Sequence, residues 1–422
     1  MKKILLNRFL VLKLCFFSAI LISFNLCNKD LPDPTPIVPP GNNSATSIGD
    51  LINNDTTFSI FKSAAAKFAA TAKVDLLAQL SDSNKIFTAF LPNNAAFRAS
   101  GFPNWDAVNA FLPLSSLAAI LQYAIIPGQQ FTVADVPATF PNIQLPTMVN
   151  IGVLPAPAPP IKVQLSTFLS KAGNFFYDNT IPVLQPDLKM QNGVVHLVGG
   201  IVAPPSAVLK DAIYSKPNLT YFKAAIARAD SGQTGLNKLD SLLGYAATNM
   251  TILVPNDTAF QSIIFKLIYG NLLQQQVPAA TAASIANGYV ALPPDVLFSK
   301  PELFSSLTAA TVRGIIAYHF LASQNPVNSK YEPNIRVFSI NFSTTPTLYK
   351  TLVNAQVSIH PGIMAQATFA GPFVSDLRFT GLGTFPPDPT HPFSGPAAVA
   401  VSKDNLAVNG VFHVIDRVLL PQ

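Results

Sequence analysis

Cysteine is all but missing from this 422-residue chain: Cys15 and Cys27 are the only two, and both lie near the N-terminus. The rest can form no disulfide and no thiolate metal site, so whatever folds must be held by core packing alone. Glutamate is as scarce, with Glu302 and Glu332 alone. A paired-carboxylate hydrolase would have to rely on aspartates, and none is marked out by its neighbours. The five histidines (His196, His319, His360, His391 and His413) include no pair at the spacing of a helical metal site. Nucleophile-elbow, Walker-type and dinucleotide-glycine motifs are all missing. The expectation is a chain that is not an enzyme and that takes neither metal nor cofactor.

Charged residues make up only 11% of the chain, and the formal charge of +6 owes much to Lys2, Lys3, Arg8 and Lys13. Removing residues 1–26, which hold those four cations and no acid, leaves +2. That balance gives no nucleic-acid footprint, which needs clustered Lys and Arg. What the chain does have is 49% hydrophobic residues, ample for buried cores, and 37 prolines in clusters. Its length predicts two domains of roughly 100–200 residues each.

The four early cations flank a short apolar stretch, and residues 15–26 continue it without a charge. A basic segment followed by such a stretch reads as a signal peptide. Lys13 leaves too few uninterrupted apolar residues for a membrane span of about 20. Phe24-Asn25-Leu26-Cys27 resembles the end of a bacterial lipoprotein signal, although Leu26 stands where such signals prefer Gly, Ala or Ser. The reading is a signal peptide over 1–26 and a lipid on Cys27, with a Pro-rich, extended tether over 27–45. Lys29 and Asp30 resemble the charged signals that send some Bacteroidota lipoproteins to the outer face. The expected location is therefore the outer membrane, facing the exterior, with membrane contact through the lipid alone.

Beyond the tether, three boxes occur twice in the same order, a signal to be read before any single motif. Ile86-Phe87-Thr88-Ala89-Phe90-Leu91-Pro92-Asn93-Asn94-Ala95-Ala96-Phe97 returns as Met250-Thr251-Ile252-Leu253-Val254-Pro255-Asn256-Asp257-Thr258-Ala259-Phe260. Tyr123 within Leu121–Ile126 returns as Tyr318 within Ile316–Leu321. Asn192-Gly193-Val194-Val195-His196-Leu197-Val198 returns as Asn409-Gly410-Val411-Phe412-His413-Val414-Ile415. In the first box a strand ends at Pro92 or Pro255, which lack an N–H. Asn93 or Asn256 then caps a helix that Phe97 or Phe260 enters. In the last box Asn-Gly marks a turn, and the residues after it alternate between two faces of a strand. His196 and His413 share one repeat position, which argues for a structural role.

The boxes resemble those of the fasciclin-like domain family: an early T-x-F-x-P-[TN]-[ND]-x-A-F box, a central Tyr-His, and a closing N-G-x-x-H strand. The resemblance covers residues 46–205 and 206–422. It implies an α+β fold of two tandem fasciclin-like domains, each a β-sandwich-like wedge with helices packed along one edge. It also implies adhesion or binding of an extracellular protein, matrix or glycan ligand. A second function with the same layout is that of an accessory glycan-binding lipoprotein of a polysaccharide uptake system. In the family the Tyr-His region is linked to adhesion. Tyr318-His319 keeps the pair while Tyr123 precedes Ala124, and a Tyr and a His that satisfy hydrogen bonds inside the fold are the favoured reading here.

The second half is longer within residues 261–307, which include an apolar, helix-like stretch around Ile263–Leu273 and an Ala-rich run from Ala279 to Ala286, and within residues 325–403. The latter stretch holds a Pro-, Phe- and Gly-rich run from Gly381 to Pro396. Loop insertions are where specificity tends to sit, though neutral lengthening reads the same way. Exposed aromatics would be the contact groups, so Trp105, Phe379, Phe385 and Phe393 join Tyr123, Tyr318 and His319 as candidate binding residues. These two halves predict two separately closed cores joined near residues 206–218. Intact-mass analysis of the membrane fraction is expected to show an acylated mature chain beginning at Cys27. A chain that keeps Met1, or begins elsewhere without lipid, would remove the anchor.

Overall fold

The computed structural model describes residues 45–154, 161–303, 307–384, 386, 388 and 390–422; Cys27, the tether up to residue 44 and Phe385 lie outside them. The first half starts with helices α1 (Ile48–Asn54), α2 (Ser59–Ala72) and α3 (Leu76–Leu80). Strand β1 (Phe87–Pro92) and helices α4 (Asn94–Ala99), α5 (Trp105–Phe111) and α6 (Leu114–Tyr123) follow. Six strands complete it: β2 (Ile125–Pro127), β3 (Ile143–Leu154), β4 (Ile161–Ala172), β5 (Phe175–Asp178), β6 (Ile181–Met190) and β7 (Gly193–Val198). They form one sheet in the order β2-β1-β7-β6-β5-β4-β3, with β1 and β7 parallel.

The second half repeats this plan. Helices α7 (Leu209–Tyr214), α8 (Thr220–Ala229) and α9 (Leu239–Gly244) lead into β8 (Met250–Pro255). Helices α10 (Asp257–Gln274), α11 (Ala279–Val290), α12 (Pro294–Ser299) and α13 (Ala309–Tyr318) come next. After the two-residue strands β9 (Ser323–Gln324) and β10 (Tyr331–Glu332), the sheet is built from β11 (Thr347–Tyr349), β12 (Ile363–Ala370), β13 (Phe373–Thr380), β14 (Ala398–Ala407) and β15 (Gly410–Ile415). Its order is β11-β12-β13-β14-β15-β8, again with one parallel pair, β8 beside β15.

Strand alternation explains why each sheet has two cores. Phe87, Ala89 and Leu91 of β1 face the helices, with Phe61, Phe97 and Leu121. Phe90 faces the other way, onto Tyr123, Leu145, Leu169 and Phe176, where the sheet curls over itself. Met250, Ile252 and Val254 of β8 likewise face the helices, and Leu253 joins Tyr318, Phe342 and Phe379. Each fully buried side chain of this size contributes about 1.5–3 kcal/mol. The caps read from sequence are in place: Asn93 Oδ1 accepts from Ala96 N at 3.0 Å, and Asn256 Oδ1 from Ala259 N at 2.9 Å.

The two insertions are built differently. The first is helical and structural: Ile264, Ile268, Ala286, Leu297 and Phe298 of α10–α12 sit in the helix-side core. Three helices divided at Pro278 and Pro293 each bury an apolar face there, and helices this short owe most of their stability to such packing. The second is the connection from β13 to β14, which spans Gly381 to Ala397 where the first half turns through Asn179 and Thr180 alone. The cores are also not wholly separate. Phe168 and Tyr177 of the first half pack with Phe338, Ile340 and Val411 of the second.

The parallel strand pair is locked from both sides in both halves. Thr88 Oγ1 accepts from Phe131 N at 2.9 Å, and His196 Nε2 donates to Phe131 O at 2.8 Å. In the second half Thr251 Oγ1 accepts from Val337 N at 2.8 Å and His413 Nε2 donates to Val337 O at 3.1 Å. One loop residue thus has its N–H held by the first strand and its C=O by the last. The other imidazole nitrogen accepts from a bulge: His196 Nδ1 from Asp187 N and His413 Nδ1 from Asp404 N. Both aspartates have positive φ, 59° and 57°.

The residues before those strands tie the helices in. Asn192 Oδ1 accepts from Ile48 N at 2.9 Å while its Nδ2 donates to Leu80 O at 2.7 Å, joining the start of α1 to the end of α3. Asn409 does the same between Leu209 N at 2.7 Å and Leu243 O at 2.9 Å. Each following glycine lies against the neighbouring strand. A Cβ on Gly193 would stand 1.9 Å from Phe87 O, and one on Gly410 would stand 2.4 Å from Met250 O.

Burial holds the pKa of His196, His319 and His413 below the ordinary histidine range, and that of His319 falls to about 4. A depressed folded pKa means the unfolded chain takes up protons first. Their contribution is complete above about pH 6.5 and is lost as pH falls toward 4, about 2 kcal/mol at pH 5 for His319 alone. Asp178 opposes them: burial raises its carboxyl to about 7, so its stabilising proton is lost as pH rises through that value. With three histidines against one carboxyl, denaturant titrations are expected to show stability falling between pH 7 and pH 5. Asp178→Asn should steepen the fall. A flat profile would mean the imidazoles are protonated in place.

Candidate functional site

Most of the aromatic and Tyr-His candidates turn out to hold the fold together. Tyr123, Tyr318, His319 and Phe379 are each fully buried. Tyr123 Oη donates to Ser166 O at 2.8 Å and accepts from Asn179 Nδ2 at 3.3 Å, tying the end of α6 to β4 and the β5–β6 turn. Tyr318 Oη donates to Gly362 O and accepts from Leu382 N at 2.9 Å. His319 donates from Nδ1 to Ile315 O at 2.8 Å and accepts at Nε2 from Leu419 N at 3.0 Å. Neither ring nitrogen is left for a ligand.

Phe379 is a correction to the surface role expected of it. It lies on β13 rather than in the connection that follows, and its ring packs edge-on against Phe342 at 5.3 Å. A strand residue pointing into the curled face of the sheet is buried whatever its distance from Pro/Gly-rich sequence. Phe393 is half-buried on the same core, at a φ of 60°. Trp105 is half-buried against the helix-side core of the first half. The connection after β13 is pinned at its start, with Gly383 N donating to Leu420 O at 2.9 Å. The cavity beside it is only about 110 Å³.

The larger concavities lie where the two halves meet. Asn142 and Asn341 exchange reciprocal carboxamide bonds of 2.9 and 2.8 Å across the junction. Tyr177 Oη donates to Pro372 O at 2.8 Å, and Phe168 meets Phe338 edge-on at 5.9 Å. Two cavities of about 410 and 420 Å³ adjoin here and share Gln144, Phe168, Asn249, Asn334 and Arg336. A third groove, of about 490 Å³, is lined by Phe140, Phe175, Phe342 and Phe369.

Arg336 is the centre of the first pair. Its guanidinium lies 4.3 Å from the centroid of the Phe168 ring. Nε donates to Asn249 Oδ1 at 2.7 Å and Nη2 to Val408 O at 3.0 Å. Only 5% of the residue is exposed, and burial lowers its pKa to about 10, which still leaves it charged at neutral pH. Sequence reasoning passed over it because a lone arginine outside every box carries no pattern. The one available signal was its neighbour: Arg336 directly precedes the residue that the Thr251–His413 pair holds.

Residues 62–204 match the family model described as Fasciclin domain. Among solved structures the chain is similar to a FAS1 domain pair from the insect cell adhesion molecule fasciclin I, reported as a novel fold. The identity is 13% and the TM-score 0.30, over 86% of this chain and 95% of that one. No curated protein matches the chain.

Phe379→Ala is expected to cost about 3–5 kcal/mol of stability, as for other fully buried phenylalanines, with ligand attachment retained at temperatures where the variant stays folded. Denaturant unfolding beside an attachment assay checks it. Loss of attachment without loss of stability would return Phe379 to the surface.

Proposed function

We propose, from the premise that residues 62–204 form a fasciclin domain whose framework the second half repeats, that this chain is an exported binding protein of the cell surface and not an enzyme. Fasciclin domains serve adhesion and binding in general. The observation that carries the reading is the doubling of the Thr–loop–His and Asn–Gly locks, which makes two like modules, and cavities lie where the two meet. Adhesion or matrix binding through that paired surface is the first function. The commitment of His196, His319, His360 and His413 to main-chain partners at both ring nitrogens speaks against general-base chemistry on them.

Glycan binding is the second reading, favoured by the carboxamide and hydroxyl lining of the Arg336 cavities. The lipid at Cys27 and the outer-membrane location belong to the same proposal. A tether rich in proline would hold the modules clear of the lipid. Cells carrying the chain are expected to attach to matrix-protein or glycan coatings well above cells that lack it, and protease added to intact cells should remove both chain and attachment. Equal attachment by both cell types on every coating would sink the binding reading. Protection from added protease would move the chain to an inner face.

A further inference from the structure

Arg336 presents an unusual balance of charge. Among the described residues it is the only charged side chain lining either of the two adjoining cavities, and it forms no ion pair with any of them. Burying a cation without a counter-charge is costly unless its hydrogen-bonding capacity is filled. Here two nitrogens are satisfied by Asn249 and the Val408 carbonyl, and Nη1 has no hydrogen-bond partner among the described residues. The stacked Phe168 ring beneath fixes the plane of the guanidinium. With Nε and one Nη2 hydrogen committed, the end formed by Nη1 and Nη2 keeps the forked geometry that takes a carboxylate.

Among the described residues the walls around this fork are neutral, with carboxamides and hydroxyls set among apolar side chains such as Phe140, Ile151 and Val163. Gln144 donates from Nε2 to Ser166 Oγ at 3.1 Å and Gln164 from Nε2 to Thr147 O at 2.8 Å, and neither carboxamide oxygen has a partner among the described residues. Asn334 makes no side-chain hydrogen bond among the described residues, and Asn249 keeps its Nδ2 donors. One cation ringed by carboxamides and hydroxyls suits a ligand with one carboxylate and many hydroxyls per unit. We propose that the junction cleft binds acidic glycans, with Arg336 taking the carboxylate of a uronate residue and Gln144, Gln164, Asn249 and Asn334 taking its hydroxyls.

This rests on the reading of the chain as a glycan-capable surface protein, and it adds the charge that the glycan must carry. Titration calorimetry of the full mature chain with short oligogalacturonates, and with their methyl esters, tests it. The acid is expected to bind, with affinity falling as salt rises, and the neutral ester to bind about ten-fold or more weakly. Arg336→Gln should lose about ten-fold for the acid alone, and Arg336→Lys should recover part of it, since a point charge replaces a fork. Gln144→Ala and Asn334→Ala alter exposed side chains, so they should weaken binding while the thermal midpoint stays put, even where an Arg336 variant folds poorly.

Equal affinity for acid and ester, no change in the exposed-residue variants, or binding of polyglutamate in place of oligogalacturonate would each overturn the proposal. Cell attachment that survives without uronate binding would overturn this site and spare the adhesion reading. Uronate binding without attachment would do the reverse.

Discussion

A parallel pair of strands toward one edge of each sheet has to be closed by something other than a hairpin, because its two members lie far apart in sequence. The closure is one extended residue held at its N–H by a threonine of the first strand and at its C=O by a histidine of the last. Everything else is arranged around that lock. The bulge at Asp187 or Asp404 supplies the imidazole's second partner, and the Asn-Gly pair sets the depth at which the last strand enters. A neutral imidazole with one donor and one acceptor nitrogen fits this place, where a lysine or a carboxylate would bury an unpaired charge.

The same lock explains why the two halves meet as they do. In the second half, the locked residue Val337 is flanked by Arg336 and Phe338, and both reach Phe168 of the first half. Matching the locked residues puts Gln130 opposite Arg336, and Gln130 keeps a buried Oε1 without a partner. One position in the repeat is therefore a neutral carboxamide in one half and, in the other, the cation that reaches across the junction. Such divergence at a fixed backbone site is how a duplicated framework can gain an asymmetric cleft without changing either sheet.

Much of the framework could be read from the chain. Pro92, Asn93, Asn192, Gly193 and His196, with their partners in the second half, were legible because each performs a backbone task that few residue types can perform. The alternation of Val195 and Leu197 against His196 and Val198 likewise gave the two faces of β7 correctly. The candidate site was barely legible. Phe379 was placed by its neighbours in composition, whereas its fate was decided by strand parity. The helix-like stretch of the first insertion showed in its apolar residues, but the core that it joins is built by residues remote in sequence and did not. Arg336 had no periodicity, spacing or motif to announce it, since its partners Phe168, Asn249 and Val408 are remote in sequence.

The repeated residues and the binding residues should be different sets, for a reason of hydrogen-bond saturation. His196, His413, His319, Tyr123 and Tyr318 each spend their polar atoms on main-chain or side-chain partners inside the fold. A group whose donors and acceptors are already filled gains little by meeting a ligand, and moving it would leave buried amides unpaired. Capacity for recognition remains where the framework does not use it, in the guanidinium fork and loose carboxamides at the junction. The residues that repeat in the sequence therefore point away from the cleft proposed for binding.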